Sequence, residues 1–576
     1  MGYMENYNRW LTSDKTDEAT KAELIAIKDN DEEIKLRFYQ SLQFGTAGLR
    51  GTMNAGTNAM NVYTVTQATQ AIATLIKEEG KAAMERGVAI ACDSRNNSEL
   101  FSKCAAEVLA ANGIKVFIFE SLRPTPVLSF AIRHLNCIAG INITASHNPK
   151  EYNGYKAYWE DGAQLPPEHA QKVSDIIAVT DIFDGVSSIP FEDGIKSGLI
   201  KIIGEEVDAA YLENVYAQAI DTEMIKEMAD DIKIVYTPLH GAGYKLVPRV
   251  IDMLGFKNLY MVKEQSEPDG NFPTTPFPNP EFKDVFNPGI KLAKEIGSDL
   301  IIATDPDADR VGIAVRVGDD FVTMTGNQVG AILLEYIITA LKNTGKMPNG
   351  AYAVKSFVST ELVSKIAAVN GVKLYNVFTG FKYIGEVIKR EEKPGEAEFL
   401  LGFEESYGYL RGTYARDKDA VVGTMLICEV AAYYKKRGMT LYDAMQEIYN
   451  KYGFYRDGVD NITMKGLDGI DRMKRIMKKL REEPPKELAG VAVDTVIDYN
   501  IPCEYNLKTG EKTMLDTGTT NTVYFKCGDD VVVIRPSGTE PKIKLYYLVS
   551  EKTAEGADAK VAKFKEAGLA IIDSIK

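Results

Sequence analysis

Short apolar runs alternate with stretches of helical periodicity through most of this 576-residue chain. The alternation forms three groups. The apolar runs of these groups are 88–92, 115–119 and 137–143; 232–236, 258–262 and 299–303; and 351–355, 373–377 and 398–403. Strands that alternate with helices build mainly parallel or mixed sheets. Because the chain is also several times longer than one domain core requires, we expect three α/β units.

The pattern changes near the end of the chain. Apolar runs at 522–527, 530–535 and 543–549 follow one another closely, and a helical pattern spans 554–575. This succession favours a separate α+β domain. The expected division into four domains is 1–208, 209–320, 321–455 and 456–576.

Composition excludes several classes of protein. With 67 Lys plus Arg against 81 Asp plus Glu, the net charge of −14 argues against general nucleic-acid binding. The six cysteines form no CxxC pair, which excludes a zinc ribbon and is typical of a reducing cytosol. No signal-peptide pattern is present, and the most apolar stretch, 420–434, is short and contains Glu429. We expect a soluble cytoplasmic protein with no nucleic-acid or membrane partner; its oligomeric state is not indicated.

A polar loop follows one apolar run in each of the three α/β groups. These loops are 144–149, 305–310 and 404–406. In open α/β sheets, ligands bind beyond the carboxyl ends of strands, so we expect the three loops to share one cleft. Residues 264–288 are rich in proline, asparagine and glycine, which predicts a long surface loop in the second group.

Asp305, Asp307 and Asp309 place three carboxylates at alternate positions. Carboxylates this crowded repel one another unless a hard cation such as Mg²⁺ or Ca²⁺ neutralises them. An EF-hand is excluded because Arg310 and Arg316 occupy its glycine and glutamate positions. Free coordination positions suit Mg²⁺ in phosphoryl transfer. The alternative is an acidic surface turn.

Ser146 beside His147 raises the possibility of a hydrolase. The GxSxG arrangement is absent, and adjacent residues on an extended loop point to opposite sides, so a serine–histidine triad has weak support. The simpler interpretation is a turn, with Asn148 and Pro149 beginning it.

Two further segments are suited to phosphate. Residues 535–539 combine an arginine, two hydroxyls and a glycine, with Lys542 and Lys544 close by, although a hairpin turn would have the same residues. Residues 45–51 are glycine-rich and include Arg50. Neither segment is a Walker motif, which argues against a P-loop kinase.

Taken together and in order, five segments resemble the active-site loops of the α-D-phosphohexomutase family. They are 44–50, 144–149, 305–310, 403–406 and 535–539. The resemblance covers nearly the whole chain, and the long lead before Gly45 resembles the second type of glucomutase in that family. It implies four domains around a central cleft, the first three with one topology.

The resemblance also implies roles for individual residues. Ser146 would be a phosphoserine in the resting enzyme and, with Asp305, Asp307 and Asp309, a ligand of Mg²⁺. The implied catalytic residues are Ser146, His147, Lys156, Arg50, Arg310 and Lys418. The implied substrate-binding residues are Thr379, Gly380, Lys382, Glu404, Ser406, Arg535, Ser537, Gly538 and Thr539.

The implied activity is interconversion of glucose 1-phosphate and glucose 6-phosphate through glucose 1,6-bisphosphate. Ser406-Tyr407-Gly408 departs from the Ser-Gly-His of phosphomannomutase relatives, which favours glucose but leaves the proton carrier open. Lys150 also replaces a common glycine. Mannose and pentose phosphates remain alternative substrates. A metal-dependent sugar phosphatase and a non-catalytic sugar-phosphate sensor are the alternatives from other classes.

Overall fold

The computed structural model describes residues 2–45, 48–392, 397–464, 466–537 and 542–575. Four main sheets of six, five, four and seven strands follow one another along the chain. We call each sheet with its helices a unit. Among the described residues, no helix combines the length and the apolar character that a membrane crossing requires.

The first unit is built on the six-stranded sheet and is preceded by three helices. The helices of the lead are α1 Tyr3–Thr12, α2 Glu18–Ala26 and α3 Asp31–Phe38. The elements of the unit are β1 Leu49–Thr52, α4 Val62–Glu78, α5 Lys81–Arg86, β2 Val88–Cys92, α6 Ser98–Ala111, β3 Val116–Phe119, α7 Thr125–His134, β4 Ala139–Ile143, β5 Tyr152–Trp159, α8 Pro167–Val179, α9 Phe191–Lys196 and β6 Ile200–Ile203. The predicted loop 144–149 therefore connects β4 to β5.

The second unit is built on the five-stranded sheet. Its elements are α10 Glu205–Tyr216, α11 Thr222–Met228, β7 Lys233–Thr237, α12 Gly243–Met253, β8 Asn258–Met261, α13 Lys263–Ser266, a 3₁₀ helix Lys283–Phe286, α14 Asn287–Ile296, β9 Leu300–Thr304, β10 Val311–Val317 and β11 Asp320–Met324. The prediction of one long loop over 264–288 is wrong at both ends, where short helices form, and it holds only for the segment between them.

The third unit is built on the four-stranded sheet. Its elements are α15 Gly326–Asn343, β12 Ala351–Ser356, α16 Leu362–Asn370, β13 Lys373–Val377, α17 Phe381–Glu391, β14 Glu398–Glu404, β15 Gly408–Leu410, α18 Ala420–Lys436 and α19 Leu441–Tyr452. The loop 405–407 turns the chain from β14 into β15.

These three sheets share one topology. In strand order they contain β3-β2-β4-β5, β8-β7-β9-β10 and β13-β12-β14-β15. In each, the first three strands are parallel and the fourth is antiparallel to the third. The loop between the third and fourth strands therefore recurs at the same place, and it carries Ser146, Asp305 to Asp309, and Ser406. The predicted α/β class and the shared topology are confirmed.

The fourth unit is an antiparallel seven-stranded sheet with two long helices. Its elements are β16 Phe454–Thr463, α20 Gly466–Glu482, β17 Glu487–Leu488, β18 Val491–Ala492, β19 Thr495–Asp498, β20 Cys503–Asn506, β21 Lys512–Met514, β22 Val523–Cys527, β23 Asp530–Pro536, β24 Lys542–Glu551 and α21 Ala554–Ser574. The sheet order is β16-β24-β23-β22-β19-β20-β21, which confirms the predicted α+β class. Gly453, with φ of 107°, ends α19 and leads into β16.

The three leading helices were not predicted from the sequence. Their core contains Trp10 and Phe38, whose ring centroids are 5.7 Å apart, and Phe183 of the first unit lies 5.5 Å from Trp10. The Glu23 carboxylate accepts a hydrogen bond from the backbone N–H of Ala55 at 3.1 Å. The helices therefore pack on the first unit and fix the chain on both sides of the 45–51 segment.

Candidate active site

Loops from three units meet at one point. The Ser146 hydroxyl donates to Asp305 Oδ2 at 2.8 Å, and Lys156 Nζ on β5 donates to Asp307 Oδ2 at 2.7 Å. Lys418 Nζ, from the third unit, lies 3.2 Å from Asp309 Oδ2. The expectation of one shared cleft is confirmed for the loops 144–149 and 305–310, because Ser146 and Asp305 are in direct contact. The third unit contributes Lys418, which lies outside the predicted loop 404–406.

The serine loop has an unusual backbone. Ser146 has φ of 53°, in the left-handed region, and is only 4% exposed. Its hydroxyl lies 3.1 Å from Nδ1 of His147. The prediction that the two side chains point apart is therefore wrong, since it assumed an extended loop. Burial, together with the Arg310 and Arg50 guanidinium groups, lowers the pKa of His147 well below its ordinary value.

The three aspartates form a buried carboxylate cluster, which we define as Asp305, Asp307 and Asp309. Each is at most 1% exposed, and one oxygen from each lies within 4.8 Å of the others. Asp305 Oδ1 accepts from the backbone N–H groups of Asp309 and Arg310, at 3.1 and 3.0 Å, which curls the loop around that carboxylate. The alternative of an acidic surface turn is therefore wrong.

The carboxylate cluster fits a hard divalent cation. Asp307 Oδ1 and Asp309 Oδ1 are buried and lack a hydrogen-bond partner within the described part of the chain. A buried carboxylate oxygen without a partner is costly, and oxygen-only donors are those that Mg²⁺ and Ca²⁺ prefer. Burial and the two neighbouring carboxylates raise the pKa of Asp305 well above its ordinary value. The chemistry of the site thus favours a metal ion as the positive charge that balances these carboxylates.

Three basic side chains surround the cluster. Burial alone would lower the pKa of Lys418, but Asp309 and Asp417 raise it above its ordinary value. In the same way, Asp307 and Asp309 outweigh burial and raise the pKa of Lys156. Arg310 Nη1 donates to Glu281 Oε1 at 2.7 Å. The amino groups of both lysines therefore stay charged beside the carboxylates.

The first unit also fixes Lys418. Its neighbour Asp417 accepts hydrogen bonds from Tyr158 Oη at 2.8 Å and from Gln164 Nε2 at 3.3 Å. Asp417 in turn lies 3.1 Å from the Lys418 ammonium. A loop of the third unit is thus attached to the first unit at the point where it reaches the carboxylate cluster.

The third and fourth units bring the predicted sugar- and phosphate-binding residues together. Glu404 Oε1, nearly buried, accepts from the backbone N–H of Gly380 at 2.6 Å. Gly380 has φ of 119°, a conformation that residues with a Cβ rarely adopt. Arg535 Nη1 hydrogen-bonds to the Thr379 hydroxyl. These contacts bring residues 379–380, Glu404 and Arg535 together where the third and fourth units meet.

The remaining predicted residues lie around these contacts. Lys382 Nζ is 4.8 Å from the centre of the Tyr383 ring, and Ser406 is half-buried after Glu404. The Ser537 N–H donates to the Lys542 carbonyl at 2.8 Å, next to the last pair of residues at which β23 and β24 are joined. Gly538 and Thr539 lie outside the described residues.

The glycine-rich segment reaches the serine loop. Arg50 Nη1 donates to Asn148 Oδ1 at 3.4 Å, and Gly45 pairs with Gly48 through two backbone hydrogen bonds. Thr46 and Ala47 lie outside the described residues. Arg50 is thereby placed on the same side of the cleft as Ser146.

Sequence reasoning missed two residues that contact this site. Thr125 donates through Oγ1 to Asp307 Oδ2 at 2.9 Å, and Glu281 pairs with Arg310 as described above. Thr125 stands 182 positions from Asp307, so no spacing pattern could join them. Glu281 lies in the 264–288 segment, whose composition predicts only a loop.

Three profiles of one family match the chain in order. They are described as phosphoglucomutase/phosphomannomutase, alpha/beta/alpha domains I, II and III, and they match residues 41–181, 209–318 and 325–452. With these matches on the fold and site described above, the chain belongs to the phosphoglucomutase/phosphomannomutase family.

Individual relatives agree with that assignment. A protein named phosphoglucomutase from Staphylococcus saprophyticus is 36% identical over 546 residues, covering 95% of each chain. The structure of the Paramecium phosphoprotein pp63/parafusin, a phosphoglucomutase in an open form, has a TM-score of 0.71 at 20% identity and covers 93% of this chain and 95% of its own. A phosphoglucomutase/phosphomannomutase family protein from Burkholderia thailandensis has a TM-score of 0.66 at 18% identity and covers 93% and 99%. At these identities the two structures support the fold alone.

Proposed function

We propose that this protein is a phosphoglucomutase that interconverts glucose 1-phosphate and glucose 6-phosphate. The observation that carries the proposal is the placement of the Ser146 hydroxyl, 2.8 Å from Asp305 in a buried carboxylate cluster. The name and near-complete coverage of the Staphylococcus relative support glucose as the sugar. A nucleophile beside a metal site, with separate sugar and phosphate loops, is what phosphoryl transfer within one sugar requires.

Ser146 is the residue that carries the phosphoryl group. As a phosphoserine, it gives that group to the free hydroxyl of the sugar monophosphate, whose proton leaves to a basic group, and glucose 1,6-bisphosphate forms. The bisphosphate then reorients and returns its other phosphoryl group to Ser146. Nδ1 of His147, 3.1 Å from Ser146 Oγ, lies within reach of the proton at this atom.

Asp305, Asp307, Asp309 and the Ser146 phosphate would hold Mg²⁺. When bound, this ion neutralises negative charge on the group being transferred. Three carboxylates and a phosphate dianion sum to about −5 against +2 from the metal. Lys156, Lys418 and Arg310 would supply the remaining positive charge, since all three lie around the cluster.

The other end of the cleft would bind the part of the substrate that does not react. We assign the non-reacting phosphate to Arg535, Ser537, Gly538 and Thr539, and the ring hydroxyls to Thr379, Gly380, Lys382, Glu404 and Ser406. Arg50 would contact the transferring phosphate from the side of the serine loop. We also propose domain boundaries after residues 208 and 320, which lie between the profile matches, and after residue 455, which lies beyond the end of the third match.

The test is a coupled assay of the purified protein on glucose, mannose, ribose and deoxyribose 1-phosphates, with and without glucose 1,6-bisphosphate. We expect the highest kcat/KM with glucose 1-phosphate and stimulation by the bisphosphate. Ser187→Ala, at an exposed serine of the first unit, controls for Ser146→Ala. Release of inorganic phosphate faster than formation of the isomeric sugar phosphate (6-phosphate for the hexoses, 5-phosphate for the pentoses) would instead establish a phosphatase. A higher kcat/KM with another sugar would correct the substrate.

A further inference from the structure

A buried ion pair lies beside the serine loop and has no place in the assignments above. Asp93 and Arg95 follow β2, and Asp93 Oδ2 lies 3.2 Å from Arg95 Nε with both side chains 0% exposed. The Asp93 N–H donates to the Ile143 carbonyl at the end of β4, where the serine loop begins. A buried ion pair contributes little to stability by itself, so its position calls for another explanation.

Arg95 binds the backbone of the serine loop at four points. Nη2 donates to the carbonyl oxygens of Ser146 and Asn148, both at 2.5 Å. Nη1 donates to the carbonyl oxygens of Pro149 and Tyr152, at 2.9 and 3.1 Å. The guanidinium group is planar and has its donors in fixed directions, so one side chain joins both ends of the loop.

Asp93 supports the same loop through Thr144. Its Oδ2 accepts from the Thr144 hydroxyl at 2.6 Å, and that hydroxyl oxygen accepts from the Ser146 N–H at 2.8 Å. Asp93 Oδ1 accepts from the Arg95 N–H at 2.9 Å. Both backbone polar groups of Ser146 are thus bound through this pair, the carbonyl by Arg95 and the amide through Thr144.

These bonds maintain a backbone conformation that a serine would otherwise avoid. The φ of 53° at Ser146 is disfavoured for residues with a Cβ, and such strain persists only where the surroundings determine it. In this conformation the hydroxyl reaches Asp305. Loss of the bonds would let the loop relax and move the hydroxyl away from the carboxylate cluster.

The second unit covers the same guanidinium group. The Phe272 ring centre lies 5.0 Å from Arg95 Cζ, within the range of a cation–π contact, and Phe272 is 2% exposed. Asn96 Nδ2 donates to Asn271 Oδ1 at 3.2 Å. Arg95 therefore contacts both the serine loop and the unit that carries the carboxylate cluster.

We propose that Arg95 is a positioning residue for phosphoryl transfer. It fixes the Ser146 hydroxyl relative to the carboxylate cluster and does not bind the sugar phosphate. This inference rests on the proposed mutase function. A displacement of about 1 Å at a reacting atom lowers rates by about 100-fold, so the effect belongs in kcat and not in KM.

The experiment compares Arg95→Lys with Arg86→Lys. Arg86 is a matched control because its guanidinium also donates to two backbone carbonyls, of Asn136 and Cys137, and to the Glu160 carboxylate, but at the opposite end of β4. For each variant we would measure kcat, KM, thermal stability and hydrogen–deuterium exchange of residues 144–152. Arg95→Lys should lower kcat about 100-fold with KM within about threefold, and speed exchange in this segment about tenfold. Arg86→Lys should leave all of these except thermal stability near wild type.

Each outcome decides a separate point. A wild-type protein without mutase activity would contradict the proposed function. The exchange measurement would still test whether Arg95 holds the serine loop in place. Arg95→Lys with reduced thermal stability but unchanged kcat and exchange would overturn the inference, because it would show a purely structural role. If Arg95→Lys does not fold, Thr144→Val is tested in its place. We expect Thr144→Val to lower kcat about tenfold. A Thr144→Val protein with wild-type kcat would then reject the positioning role.

Discussion

The serine loop and the carboxylate cluster contact each other through buried charged and polar side chains, whereas the third and fourth units contact each other largely through aromatic rings. Tyr499 of the fourth unit lies 5.5 Å from Phe357 and 5.3 Å from Phe378 of the third, measured between ring centres. Arg535, which crosses this boundary through a hydrogen bond to Thr379, is only half-buried. Separating buried charged groups costs much free energy, whereas packed aromatic rings can be separated and packed again at a lower cost.

This difference separates the two ends of the cleft by function. The buried contacts between the serine loop and the carboxylate cluster hold the reacting groups in one arrangement. Changes there should therefore lower kcat. Residues near Arg535, to which we assign phosphate binding, belong to units that meet largely through aromatic rings. We therefore expect changes there to weaken binding and raise KM. The following predictions test that division, beginning with the largest effect.

Ser146→Ala should lower kcat by several orders of magnitude, because it removes the group that carries the phosphoryl. The fold should survive, since one hydroxyl in a loop contributes little to the core. Intact-mass measurement of the wild type should show one added phosphoryl group that excess sugar monophosphate removes. A Ser146→Ala protein with near-normal kcat would contradict the covalent scheme.

Removal of divalent metal should abolish phosphoryl transfer, and Mg²⁺ should restore it better than Ca²⁺ because the smaller ion requires tighter geometry. Asp307→Asn should lower kcat about 100- to 1,000-fold and weaken Mg²⁺ binding measured by calorimetry. Asp319→Asn, at an exposed position of the same unit, is the control. Full activity in excess chelator would rule out a metal at the carboxylate cluster.

Arg535→Ala should raise KM about ten- to a hundredfold, since a charge-assisted hydrogen bond to phosphate contributes roughly 1.5–3 kcal/mol. It should also make activity more dependent on added glucose 1,6-bisphosphate, because the intermediate would escape more often. Lys508→Ala, on an exposed part of the same unit, should change neither. Equal KM and equal bisphosphate dependence in Arg535→Ala and wild type would leave residues 535–537 as a hairpin alone.

Tyr499→Leu should have the smallest effect, a rise in KM of about fivefold with kcat nearly unchanged. The substitution removes two aromatic contacts worth about 1 kcal/mol in total between the third and fourth units. Tyr505→Leu, on the outer hairpin of the same sheet, is the matched control. A fall in kcat without a change in KM would contradict this division. It would show that the boundary between the third and fourth units acts on the reaction in the same way as the serine loop and the carboxylate cluster.

The fold was largely predictable because apolar runs mark buried strands whatever their partners. The runs at 88–92, 299–303 and 398–403 all became strands of mixed sheets, each with parallel and antiparallel pairs. Local motifs also predicted which loops converge, since three loops at strand ends must meet when the sheets share a cleft. The leading helices were missed because their apolar residues are sparse, and their packing depends on Phe183, far along the chain.

The details of the site were less predictable for a different reason. The left-handed backbone at Ser146 depends on four hydrogen bonds from Arg95, fifty-one positions away, so the extended conformation inferred from the local sequence is wrong. Similarly, Thr125 and Glu281 have ordinary neighbours in sequence, and only the packing of separate units brings them to Asp307 and Arg310. Spacing identifies the reacting groups, but it does not identify the residues that orient them.

Gly453 has a mechanical consequence. The backbone passes from the third unit to the fourth at this residue, where φ is 107° and the N–H closes the last turn of α19 on the Tyr449 carbonyl at 2.8 Å. Rotation about the dihedral angles after this N–H would leave α19 intact and swing the whole fourth unit like a lever. The displacement of Arg535 increases with its distance from Gly453. A small rotation at this one glycine would therefore move the proposed phosphate-binding residues over a much larger distance.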